Sequence, residues 1–266
     1  MIAIPIVVVL LILLYLFMIA PKNRKDMEKF KTVMYAHRGL HNNERAENSM
    51  SAFRAAVDAG YGIELDVRLS SDGQLVVFHD DTLDRVCGRE GKVIDFTAEE
   101  LSGFKLCGTE DGIPLFSDVL KLVDGKIPLL VEIKENAGDS SVSRATCEML
   151  KNYTGDFIVE SFNPMSLNVV KQNLPDVSRG ILSHRYFEQK KFRKPLFFLL
   201  QSLLLNFICR PAFIAYEHNH AKAFGLRFVR RFFGTPTIAW TVRSAEEEQI
   251  ARKNGFDGII FENYIP

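Results

Sequence analysis

The sequence predicts an α/β protein: a (β/α)8 barrel carrying one small inserted subdomain after the second strand and preceded by one transmembrane helix. Three observations carry this. Short apolar runs alternate with longer helical patterns over most of the chain, which implies parallel strands with helices packed outside. The length of 266 residues suffices for such a barrel, which occupies about 250. No GxGxxG or Walker-type loop follows the first apolar run after the N-terminus, which counts against a doubly wound open sheet, the alternative arrangement.

Residues 2–20, IAIPIVVVLLILLYLFMIA, hold no charge and are long enough to cross about 30 Å of hydrocarbon as a helix. A secretory signal would need basic residues in front and a shorter apolar core, so residues 1–21 are expected to be a retained anchor. Residues 22–32 form a basic juxtamembrane segment with Lys22, Arg24, Lys25, Lys29 and Lys31. The positive-inside rule then places them, and the barrel at 33–266, on the cytoplasmic side of a cell membrane. Strands are expected at 33–36, 62–67, 75–78, 128–133, 156–161, 179–182, 213–216, 236–242 and 258–261. Eight of them close a barrel if 75–78 is a local addition after the second. Helices are expected at 49–59, 115–123, 141–152, 164–173, 192–209, 221–232 and 245–253.

Two stretches break the rhythm. Residues 83–114 are too long for a routine connection and read as an insertion over one end of the barrel. Residues 196–208 offer only Gln201, Ser202 and Asn206 as polar side chains, between Lys190, Lys191, Arg193 and Lys194 on one side and Arg210 on the other. That pattern suits anionic head groups, so 190–210 is expected to dip into a membrane beside the barrel mouth. The last strand is followed by no helix pattern, and residues 23–31 are expected to fill that place.

Composition narrows the partners. With 33 basic and 33 acidic residues the net charge is zero, which argues against nucleic acid. The four cysteines show no metal-like spacing and read as free thiols.

Barrel enzymes place their chemistry where strands end at the C-terminal face. His37 and Arg38 follow the first strand, Glu64 and Asp66 lie on the second, and His79 follows LVVF. Glu132 and Lys134 end PLLVEIKEN, Phe162 follows the strand after it, and Trp240 stands late in TPTIAWTV. Glu64 and Asp66 are two apart, so both face one side of a strand, as do Glu132 and Lys134. Carboxylates in such apolar runs must be paired or bound to a cation; three of them suit Ca²⁺ or Mg²⁺, and salt bridges to Arg38, Arg68 or Lys134 are the alternative. His37 and His79 are the natural proton carriers, Arg38 is a fork suited to phosphate, and Gly39 lets backbone approach closely. His41, His184, His218 and His220 are expected to be structural.

The chain resembles the glycerophosphodiester phosphodiesterases in AHRG (36–39), ENSMSAF (47–53), IELDVRLSSDGQLVVFHD (63–80), LDR (83–85), VEIK (131–134) and DGII (257–260). The resemblance implies a TIM barrel with a subdomain inserted after the second strand. It implies metal-dependent hydrolysis of glycerophosphodiesters to glycerol 3-phosphate and an alcohol. His37 and His79 would be the acid/base pair, Glu64, Asp66 and Glu132 the metal ligands, Arg38 and Lys134 phosphate contacts, and Phe162 and Trp240 walls of the glycerol pocket. Two other readings stand beside it: lysophospholipase D-like cleavage of membrane-derived lysophospholipids, and a catalytically dead lipid-binding module.

Overall fold

The computed structural model describes residues 3–266; Met1 and Ile2, the start of the expected anchor, lie outside the described residues. The strands are β1 (Met34–His37), β2 (Gly62–Leu69), β3 (Leu75–Val77), β4 (Leu129–Ile133), β5 (Phe157–Ser161), β6 (Arg179–Ser183), β7 (Phe213–Glu217), β8 (Thr237–Val242) and β9 (Gly258–Phe261). β1 pairs with both β2 and β9, so eight parallel strands close into a barrel. β3 lies antiparallel on the outer run of β2 and takes no part in the closure. The helices are α1 (Ala3–Ile19), α2 (Met27–Phe30), α3 (Met50–Ala59), α4 (Asp84–Cys87), α5 (Ala98–Ser102), α6 (Phe116–Val123), α7 (Ser141–Leu150), α8 (Pro164–Asn173), α9 (Pro195–Gln201), α10 (Asn206–Cys209), α11 (Phe224–Phe233) and α12 (Ala245–Lys253).

Strand alternation sorts the core into two shells. Ile63, Leu65, Val67, Leu129, Val131 and Val159 point outward against helical residues such as Phe53, Phe116 and Val119. Their neighbours point inward, where Tyr35, Leu130, Ile158, Phe213, Ile238 and Ile260 fill the barrel. Met27 and Phe30 of α2 belong to the same interior cluster and close its floor. Arg24 donates to the carbonyl of Pro175 at 2.9 Å, and Asp26 accepts from Ser178 at 2.8 Å, which pins α2 beneath β5 and β6. The segment expected to stand in for a final outer helix is therefore a floor plug. Its apolar pair, Met27 and Phe30, is spaced to bury one face.

The transmembrane expectation does not hold. Among the described residues no helix is long and apolar enough to cross a membrane. Among the described residues α1 runs for 17 residues, about 25 Å at 1.5 Å each, short of about 30 Å of hydrocarbon. The single-pass membrane placement, and the cytoplasmic orientation that depended on it, are corrected accordingly. α1 docks at its C-terminal end instead: Asn206 donates to the carbonyl of Ile19 at 2.9 Å, and Arg210 to those of Phe17 and Ala20 at 2.8 and 3.0 Å. Cationic and amide donors there satisfy carbonyls that the last turn leaves open.

The stretch 190–210 is not one helix. It breaks into α9 and α10 around Leu203, which has φ 60° and is buried against the barrel. The expected membrane-dipping helix over 190–210 is corrected to two short helices, with Leu203 between them packed into the core. Residues 83–114 form α4, α5 and a 3₁₀ turn around a small core of their own, Leu83, Val86, Val93, Leu101 and Leu106, joined to Val76 and Phe78.

Candidate active site

The upper ends of β2, β4 and β5 carry a row of acids. Register places Asp66 opposite Glu132 and Glu132 opposite Glu160, with Glu64 one inward position below Asp66. Inward parity does this: Glu64 and Asp66 on β2, Leu130 and Glu132 on β4, Ile158 and Glu160 on β5. All four are almost removed from water, with exposures of 2% for Glu64, 1% for Asp66, 6% for Glu132 and 1% for Glu160.

Their environments separate them. Asp66 lies 3.1 Å from Lys134 Nζ and 3.4 Å from Arg38 Nε, and accepts from Asn48 Nδ2 at 2.8 Å. Burial pushes its carboxyl up, but Lys134, His79 and Arg38 outweigh that and hold it well below the usual range. Glu132 touches Lys134 at 2.7 Å, yet burial wins there and lifts it to about 7. Burial, then the charge of Asp66 and Glu132, raises Glu64 well above its ordinary value. Glu160 is raised in the same way, by burial and then by Glu132 and Glu64. Lys134 is held protonated: burial lowers it, and Asp66 and Glu132 more than offset this. Oxygens of Glu64, Glu132 and Glu160 all lie within 4.8 Å of one another. This donor set, all carboxylate oxygen and buried, fits a hard divalent cation.

Two histidines face the acids. His37 Nδ1 bonds Glu262 Oε2 at 3.1 Å, and its Nε2 lies 3.9 Å from Glu64. His79 Nδ1 bonds Asp80 Oδ1 at 2.5 Å. With Nδ1–H donated to a carboxylate in each, Nε2 is the free acceptor of the neutral ring. Burial lowers both rings, His79 to about 4, while the Glu262 hydrogen bond works against burial at His37. Glu262 is itself held down at about 2, chiefly by His37.

The loop after β1 is turned to serve this site. Arg38 and Gly39 both adopt left-handed backbone, φ 56° and 81°. A Cβ on Gly39 would meet Phe53 at 2.9 Å and Ala52 at 3.0 Å, so only glycine lets α3 sit this close. The turn sends the Arg38 amide to Glu64 Oε2 at 3.0 Å and its guanidinium to Glu47 at 2.7 Å. Ser49 caps α3 by accepting from the Ala52 amide. Arg85, from the segment after β3, bridges Glu47 and Asp80 at 2.7 and 2.6 Å.

His37, Arg38, Glu64, His79, Glu132, Lys134, Phe162 and Trp240 all line one cavity of about 230 Å³. Asp66 stands behind that wall, on Lys134 and Arg38. Phe162 and Trp240 meet edge to face at 5.5 Å, and His184, expected to be structural, leans on both at 6.1 and 6.2 Å. Glu160 and Glu262 were not among the expected site residues. Counting two back from Phe162 on β5 would have found the first. Nothing local marks the second, because its partner His37 is 225 positions away. Glu47 and Asn48 read only as a helix start, yet they hold Arg38 and Asp66.

The profile of the Glycerophosphoryl diester phosphodiesterase family matches residues 37–265. A glycerophosphodiester phosphodiesterase of Caldanaerobacter subterraneus subsp. tengcongensis is 38% identical over 166 residues, 57% of this chain and 67% of that protein. The fold is similar to that of an Oleispira antarctica phosphodiesterase solved with the product sn-glycerol-3-phosphate, at a TM-score of 0.72, 22% identity, and coverage of 88% and 94%. It is also similar to a glycerophosphodiester phosphodiesterase from Thermotoga maritima, at a TM-score of 0.66, 26% identity, and coverage of 86% and 94%.

Proposed function

We infer the chemistry of this cavity from one premise: the chain belongs to the glycerophosphoryl diester phosphodiesterase family. It is a phosphodiesterase, and its reaction is hydrolysis of a glycerophosphodiester to glycerol 3-phosphate and an alcohol. The observation that carries the reading at the level of atoms is a single pairing. Two histidines with carboxylate-held Nδ1 atoms face a group of buried acids across one cavity.

In our reading His37 takes a proton at Nε2 from the attacking water, whose oxygen forms the new bond to phosphorus. His79 gives a proton from Nε2 to the alkoxide released as the bond from phosphorus to the alcohol oxygen breaks. Glu262 and Asp80 fix the rings so that these nitrogens face the substrate. A phosphodiester anion beside His79 raises its lowered pKa toward the protonated state that an acid needs. Arg38 and Lys134 hold the phosphate: each keeps N–H groups beyond those bonded to Glu47, Asp66 and Glu132. Phe162 and Trp240 give the glycerol an apolar wall. Glu64, Asp66 and Glu132 would hold a divalent cation, Ca²⁺ or Mg²⁺, both hard ions that take carboxylate oxygen. When bound, such an ion stabilises negative charge developing on the phosphoryl oxygens. Both histidines and the acids are in place, which counts against a dead lipid-binding module, and no feature of the site favours lysophospholipid cleavage.

Phosphorus NMR of glycerophosphocholine with the purified protein tests this. We expect glycerol 3-phosphate to appear, to stop appearing after exhaustive chelation, and to return with added Ca²⁺ or Mg²⁺. Phosphocholine as the product would overturn the bond assignment, and full activity after chelation would remove the cation from the mechanism.

A further inference from the structure

β5 carries an acid that none of these steps uses. Glu160 lines the cavity with His37 and His79, and its Oε2 is buried with no hydrogen-bond partner. One of its oxygens lies within 4.8 Å of ligand atoms on Glu64 and Glu132. A buried carboxylate is costly unless it is paired or bound to a cation. The fixed positive charges nearby are already placed elsewhere. Lys134 lies against Glu132 and Asp66 at 2.7 and 3.1 Å, and Arg38 Nε is 3.4 Å from Asp66. Among the described residues, no lysine or arginine side chain lies within ion-pair distance of Glu64 or Glu160; the only basic side-chain nitrogen that comes so near either is His37 Nε2, 3.9 Å from Glu64. Two acids are thus left without a fixed cation, the charge that one divalent ion offsets.

We propose that Glu160 is a ligand of the site's cation, a fourth carboxylate beside Glu64, Asp66 and Glu132, and that it makes the site prefer Ca²⁺ to Mg²⁺. This rests on the reading that a divalent ion occupies the cavity. The preference follows from coordination chemistry. Ca²⁺ accepts about six to eight oxygens in flexible geometry, whereas Mg²⁺ demands a tight octahedron and keeps several of its waters. Glu64, Glu132 and Glu160 come from three adjacent strands with oxygens within 4.8 Å of one another, a carboxylate-rich set that suits the larger coordination number of Ca²⁺.

Isothermal titration with CaCl₂ and with MgCl₂ tests it, on the wild type, Glu160→Gln and Glu64→Gln. The wild type should bind Ca²⁺ more tightly than Mg²⁺. Glu160→Gln should lose about tenfold or more of its Ca²⁺ affinity, because charge count sets affinity at such sites, and should lose less for Mg²⁺. Thermal melting supplies a second reading. Without metal, Glu160→Gln should melt higher than the wild type, because a buried repulsion is gone, and its Ca²⁺-induced rise should shrink. A residue that only packs would lower both. Unchanged Ca²⁺ affinity in Glu160→Gln overturns the proposal, as does a wild type that prefers Mg²⁺, and the latter decides even if the variant fails to fold. If the wild type binds neither ion, or Glu64→Gln binds both like the wild type, the underlying cation reading falls as well.

Discussion

At the level of Glu64 and below it the barrel is filled with Leu130 and Ile158, then Tyr35 and Ile260, sealed underneath by Met27 and Phe30. Above it β4 and β5, with the same inward alternation, present Glu132 and Glu160, and Glu262 follows the end of β9. Two strands each show the change within two residues: β5 turns from Ile158 to Glu160, and β4 from Leu130 to Glu132. The lower half contributes stability through buried apolar area. The upper half opposes it, since burial and mutual repulsion raise Glu64, Glu132 and Glu160 together. The contrast is between a packed lower half that holds the strands together and an upper half in which the same strands bring buried acids within 4.8 Å of one another.

The sharpest break is in the upper half. His37→Ala and His79→Ala should each lower kcat by about 10²–10⁴-fold, the contribution of a general acid or base, with little change in melting temperature. Either variant within a few-fold of wild type takes that histidine out of the mechanism. Leu130→Ala tests the lower half: a cavity in a packed interior should cost about 2–5 kcal/mol in denaturant unfolding, while the folded fraction keeps its turnover. An equal loss of kcat would mean that floor and mouth are not separable.

The smallest effect is expected at the seam between the halves and the mouth loops. Glu262 opposes the lowering of His37 by burial. Replacing it with Gln removes that support, so the His37 pKa falls further and the neutral base persists to lower pH. The acidic limb of a bell-shaped kcat/KM profile should move to lower pH, with a rate loss below the roughly 10²-fold expected for deleting a general base. A limb that moves to higher pH would assign it to another group.

Much of this was legible along the chain. Period-two spacing put Glu64 with Asp66 and Glu132 with Lys134 because strand geometry is local. The alternation of strands and helices gave the closed barrel, and β3 was readable as an addition because one strand was in excess. The N-terminal run misled for a physical reason: apolar composition measures transfer out of water and not helix length or docking. α1 stops at Ile19, where Asn206 and Arg210 take its last carbonyls from nearly two hundred residues away.

By itself the sequence determined the barrel, the inward acids of each strand and the two histidines at strand ends, because each follows from local periodicity and from where a strand stops. Only the tertiary structure decided which partners those groups meet. Register across β2, β4 and β5 set Glu160 beside Glu132, while Lys134 and Arg38 gathered on Asp66. Closure of β1 on β9 brought Glu262 to His37. Such pairings depend on how eight strands meet around a ring, and ring closure joins residues whose separation along the chain carries no local signal.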